Sequence, residues 1–146
     1  MDALAALRTH AEGMGVTLHR AFDLVPDFSA ALEAAIDLGF QRILTSGGER
    51  SAPAGAERLA ALVTQAAGRI SIMAGSGLNA ENVADLIART GVREVHGSCG
   101  GAAIDGLGQG HADRASALGF LPSDPRDTVE AQVARMAAAL RGAPSA

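Results

Sequence analysis

An α/β fold with parallel strands is the class this sequence predicts, on three observations. Four short apolar runs end in polar or glycine-rich tips: Val16 to Asp23, Arg42 to Gly48, Ile70 to Gly77 and Val92 to Ser98. Those tips recur about every 23 to 28 residues, the period of repeated βα units with short connections. The punctuation repeats too: Gly39, Gly68 and Gly91 each precede a strand, and Arg42, Arg69 and Arg93 stand at its start. Such repetition fits a parallel barrel or a doubly wound sheet.

Residues 2–14 predict a helix with Leu4, Leu7 and Ala11 on one face and Asp2 where a negative charge favours the N-terminus. Gly13 and Gly15 end it, and a strand over 16–22 follows directly. Pro26-Asp27 opens a second helix, with Phe28, Leu32 and Ile36 inward and Gly39 as its stop. Arg42 to Ser46 is the second strand, broken by Gly47-Gly48. Ser51 and Pro53 begin a helix with inner residues Leu59, Leu62, Val63 and Ala66, ended by Gly68. The third strand is Ile70 to Ala74, closed by Gly75-Ser76-Gly77. Asn79 is the expected cap of a helix with Val83, Leu86 and Ile87 inward, ending near Gly91. Val92 to His96 is the fourth strand. Residues 99–121, interrupted by Gly100, Gly101, Gly106, Gly108 and Gly110, read as an irregular loop. A last helix is expected over 124–141, opened by Asp124-Pro125, with Val129, Val133, Met136 and Leu140 on one face.

The 146 residues suffice for one domain with a real core, so 1–146 is taken as a single unit. Hydrophobic residues make up 48%, much of it alanine, and the aromatics are four phenylalanines. That suits helices packed closely on a sheet and offers little for stacking bases. With a net charge of −4 and no basic stripe, neither nucleic acid nor an anionic membrane is an expected partner. The single cysteine, Cys99, excludes an internal disulfide and any CxxC motif, which fits a reducing cytoplasm. No apolar run approaches the ~18 residues of a transmembrane helix. Met1-Asp2-Ala3-Leu4 lacks the basic flank and apolar core of a signal peptide. The expected location is cytoplasmic.

Four segments together resemble the copper homeostasis protein CutC family. They are Thr17-Leu18-His19-Arg20-Ala21-Phe22-Asp23, Arg42-Ile43-Leu44-Thr45-Ser46-Gly47-Gly48, Ile72-Met73-Ala74-Gly75-Ser76-Gly77 and Arg93-Glu94-Val95-His96-Gly97-Ser98. The likeness runs from about residue 2 to residue 98 and resumes loosely over the last helix. It implies a cytoplasmic (β/α)₈ TIM barrel linked to copper, of which this chain matches only the later half. The fold expected is therefore a partial barrel of about four parallel strands, the fifth to eighth, with a truncated gene, a late start site or a split protein behind it. Four parallel strands leave open edges and an uncovered inner face, so a homo-oligomer or a complementing first half is the expected partner.

Side chains alternate along a strand, so Thr17, His19, Ala21 and Asp23 are expected on one face, opposite Leu18, Arg20 and Phe22. Leu18 and Val95 belong against the helices, which turns His19, Glu94, His96 and Ser98 inward. Thr45, Ser46 and Asp23 are then expected near the mouth of the cavity. Histidine titrates near neutral pH, so His19 and His96, with Asp23, are candidates for acid–base catalysis. The turns Gly75-Ser76-Gly77 and Gly97-Ser98, together with Gly47, are candidates for anion binding through backbone N–H groups. The chain has no lysine, so Arg20 and Arg50 would supply the charge. Copper is a possible bound ion, but Cu(I) prefers thiolate and thioether ligands. Cys99 and four scattered methionines give no close pair in the sequence, and the metal-ligating residues remain unassigned. The expectations are thus a CutC-like role in copper homeostasis, a barrel enzyme on a small, phosphorylated or other, metabolite, or an inactive fragment.

Overall fold

The computed structural model describes residues 2–103 and 126–143. A helix α1 (Asp2–His10) leads to a two-residue strand β1 (Thr17–Leu18) and a 3₁₀ turn over Arg20–Leu24. Then α2 (Phe28–Asp37), β2 (Arg42–Thr45), α3 (Ala56–Ala66), β3 (Ser71–Gly75), α4 (Val83–Thr90) and β4 (Glu94–His96) alternate. The four strands form one sheet in the order β1-β2-β3-β4, every neighbouring pair parallel. This is the arrangement of half a parallel barrel.

The helices cover one face of that sheet. Ile43 and Thr45 of β2 and Ile72 and Ala74 of β3 are buried, with Leu32, Leu59, Leu62, Val83 and Leu86 from the helices. Their neighbours Arg42, Leu44, Ser71 and Met73 are only half-buried, because they stand on the opposite, concave face. In β4 the same alternation packs Val95 against the core and leaves Glu94 and His96 on the concave side.

Local chemistry sets the helix ends. Asp27 caps α2, its Oδ1 accepting from the Ala30 N–H at 2.9 Å. Gly91, at φ +71°, closes α4 with its N–H on the Ile87 carbonyl at 2.8 Å, a left-handed cap that glycine takes without steric cost. Asn79 caps the turn leading into α4 rather than the helix itself, accepting from the Glu81 and Asn82 N–H groups.

Three expectations change. The first strand stops at Leu18, because His19 accepts from the Ala21 N–H through Nδ1 at 3.0 Å and starts the 3₁₀ turn. Alternation therefore does not carry on to Asp23. Residues 100–103 are not irregular: β5 (Gly100–Ala103) pairs antiparallel with β6 (Arg126–Thr128). Gly101 sits so close to Val129 that a Cβ there would lie 2.3 Å from its Cγ2, so a residue that looks like a strand breaker is what the packing requires. The last helix, α5 (Glu130–Arg141), accordingly begins after β6 and not at 124. Residues 104–121, expected as loop, and Asp124-Pro125 lie outside the described residues.

Candidate functional site

Asp23 is the hub of the strand tips. The 3₁₀ turn buries Phe22, which meets Phe28 edge-on at 5.3 Å between ring centroids, and aims Asp23 at the loop after β2. Its Oδ1 accepts from Thr45 Oγ1 at 2.5 Å, from the Ser46 N–H at 3.1 Å and from the Gly48 N–H at 3.0 Å. Its Oδ2 accepts from Arg20 Nε at 2.7 Å. The single Ser46 hydroxyl proton is shared between that oxygen, at 3.0 Å, and the Glu49 carbonyl at 2.6 Å. Burial raises the Asp23 pKa, but the hydrogen bonds from Thr45, Arg20, Gly48 and Ser46 outweigh it and hold the carboxyl below its ordinary value.

Of the two glycines, the Gly48 N–H serves the chain's own carboxylate, while the Gly47 N–H donates to Thr45 Oγ1 at 2.9 Å. Gly47 and Gly55 also meet backbone to backbone: a Cβ on Gly47 would stand 2.5 Å from the Gly55 carbonyl oxygen. Arg58 lies over the Phe28 ring at 4.7 Å and donates to the Gly47 carbonyl. Thr45, Ser46 and Gly47 are buried in this clamp and are not among the residues lining the adjoining cleft.

Beside the clamp, on the concave side at the C-terminal strand ends, is a cleft of about 430 Å³. It brings together Arg20, Ser76, Gly77, His96 and Ser98, all expected at the site, although strand alternation alone puts Arg20 on the helix side. The 3₁₀ turn explains the difference, since it swings Arg20 across while burying Phe22. Leu44, Leu78 and Gly97 complete the walls. The two leucines carry no sequence signal as site residues, being an ordinary strand residue and a turn neighbour, whereas Gly97 belongs to the Gly97-Ser98 turn singled out above. Ser76 has φ +81°, uncommon for a residue with a Cβ. Its Oγ donates to the Arg50 carbonyl and its own carbonyl accepts from the Ala52 N–H, both at 2.9 Å. Gly75 is buried against Leu44 rather than lining the cleft.

His19 caps its own turn and does not line the cleft that His96 lines, so the two do not form the expected pair there. Deeper on the concave face, Arg42 Nε donates to Glu94 at 2.8 Å, and Ser71 Oγ donates to the same carboxylate at 2.8 Å. The Arg42 bond is the main cause that lowers the Glu94 pKa. A larger hollow of about 710 Å³ at the opposite end of β3 and β4, walled by Val63, Ile70, Ile72 and Val92, holds none of the candidate residues.

Copper requires several soft or imidazole donors around one point. Among the described residues no three His, Cys, Asp or Glu side chains are grouped to hold a metal ion. Asp23 and Glu94 are spent on arginines, and Cys99 packs beside the core. The donor set described does not fit a copper centre. What the cleft offers is hydrogen bonding from Arg20, His96 and Ser98 beside two leucines.

The profile of the CutC family matches residues 1–101. A CutC family protein of Caulobacter vibrioides is 54% identical over 141 residues, covering 97% of this chain and 56% of the relative. One from Rhizobium meliloti is 47% identical over 137 residues, 94% of this chain and 54% of the relative. The chain thus spans about half the length of the curated relatives it matches. A crystal structure of a Streptococcus agalactiae protein, described as a candidate copper homeostasis protein CutC, is similar with a TM-score of 0.63 and 34% identity, over 66% of this chain and 48% of that one.

Proposed function

This chain belongs to the CutC family, and from that premise we propose that it acts in copper homeostasis through a small-molecule cleft at its strand tips. The observation that carries the reading is the convergence of Arg20, His96 and Ser98 in one cleft at the C-terminal strand ends, where parallel barrels bind their ligands. The copper link is supported by the naming of the Streptococcus agalactiae relative. Cytoplasmic action fits the single cysteine, and no helix among the described residues is long and apolar enough to cross a membrane.

Complementation tests this. In a host strain lacking its own copy, wild-type protein is expected to restore growth on elevated copper, and His96→Gln is expected not to. Full rescue by a well-expressed His96→Gln protein would remove the cleft from the function. Titration of the reduced protein with Cu(I) against a chromophoric chelator is expected to show no binding tighter than micromolar.

A second reading, an enzyme acting on a small metabolite, is favoured by the imidazole of His96 standing in the cleft beside the hydroxyl of Ser98. A thermal-shift screen of metabolites separates it from a purely binding role, because a hit is then tested for turnover.

A further inference from the structure

We infer that Asp23 sets the charge selectivity of the strand-tip cleft, restricting it to small polar molecules that carry no net charge. This rests on the cleft being the ligand site, as proposed above, and it narrows the ligand class. Among the described residues lining the cleft, Arg20 is the one with a permanent charge. Its Nε is 2.7 Å from Asp23 Oδ2, and its Nη2 is given to Ser46 Oγ at 2.8 Å and the Glu49 carbonyl at 3.4 Å.

The carboxylate cannot swing away and leave the guanidinium bare. Its side chain is 7% exposed and is tied down by Thr45 Oγ1 and by the Ser46 and Gly48 N–H groups. The second arginine of the concave face, Arg42, is likewise paired, with Glu94. Glu49 and Arg50 stand side by side with opposite charges, and neither lines the cleft. The loop best built to cradle an outside anion, 45–48, is already filled by Asp23.

A dianion such as phosphate would give up its hydration to enter a cleft without net attraction. A neutral or zwitterionic molecule keeps the hydrogen bonds of Arg20, His96 and Ser98 and gains apolar contact with Leu44 and Leu78. Arg20 then acts as a directional donor and not as a free cation.

Calorimetric titration of the intact chain with inorganic phosphate, at low salt and about pH 8, tests this. Asp23→Asn is expected to bind phosphate at least tenfold more tightly than wild type, and adding Arg20→Gln to it is expected to cancel the gain. A folded Asp23→Asn protein with no gain overturns the proposal, as does a wild type that already binds phosphate that tightly. If circular dichroism shows that Asp23→Asn does not fold, Ser98→Lys decides. It adds one cation on an exposed wall and leaves the clamp whole, and the same tenfold gain is expected of it, its absence overturning the proposal. Failure of the cleft reading is seen separately, as full copper rescue by His96→Gln.

Discussion

Asp23 carries a negative charge that the fold uses rather than tolerates. Removing it as Asp23→Ala leaves the Ser46 and Gly48 N–H groups and the Arg20 Nε without their Asp23 acceptor. The expected loss is about 2 kcal/mol, less than for a fully buried pair because Arg20 is 41% exposed. The pH dependence has a definite sign. The folded carboxyl holds its proton less tightly than the unfolded one, whose ordinary value is 3.8. Its contribution is therefore complete above that value and disappears as pH falls through the depressed folded pKa. Thermal melts from neutral pH down to about pH 2 are expected to show this acid-side loss in wild type and a weaker one in Asp23→Asn. The sequence pointed to Asp23, Thr45, Ser46 and Gly47 as chemistry, and the structure joins them to one another and to Gly48, which the sequence did not single out. Nothing in the local sequence says that the anion for the Gly48 N–H comes from 25 residues upstream.

At the scale of elements, strands are legible where alternation runs long enough to show. Ile43 and Thr45 against Arg42 and Leu44, or Ile72 and Ala74 against Ser71 and Met73, reveal both the strand and its buried face. β1 is two residues long, too short for a period, and the turn that follows it reverses the placement expected of Arg20. β5 is hidden by its glycines, and the use of Gly101 depends on Val129 lying over it. The polar pair between β2 and β4, Arg42 and Glu94, is about a third exposed on each side, so its loss is expected to cost under about 1 kcal/mol. Helix α5 is held differently. Val129 and Val133 are 37% and 45% exposed, and Met136, which packs on Gly97, is its buried anchor among the described residues. Met136→Ala is expected to cost about 2 kcal/mol, at the low end for a buried methionine because α5 sits at the margin. Amide exchange is expected to accelerate over 130–141 while β2 and β3 stay protected; uniform acceleration would mean that α5 is integral to the core.

The whole molecule shows a sheet with two open edges, β1 and β4, and a concave face without a covering layer among the described residues. Leu7 and Met14, ahead of β1, are 66% and 63% exposed. Parallel sheets are normally covered on both faces, and bare edges invite pairing. We accordingly expect the 146-residue chain to self-associate, and Leu7→Glu with Val133→Glu to weaken that association. Sedimentation velocity showing a well-folded monomer across micromolar concentrations would refute it. The half-barrel character was readable in the sequence from the repeat and the family likeness. Which charges cancel on the concave face was not, because Arg42 and Glu94 are 52 residues apart. The Asp23 clamp has one more consequence, in the order of folding. All its hydrogen-bond partners lie within 25 residues along the chain, so it closes the β1-α2-β2 unit without help from β3 or β4. Short loops close at low entropic cost, which makes this unit the natural nucleus for the rest of the sheet. A chain with Asp23→Ala should then lose stability mainly by refolding more slowly, while its unfolding rate changes little.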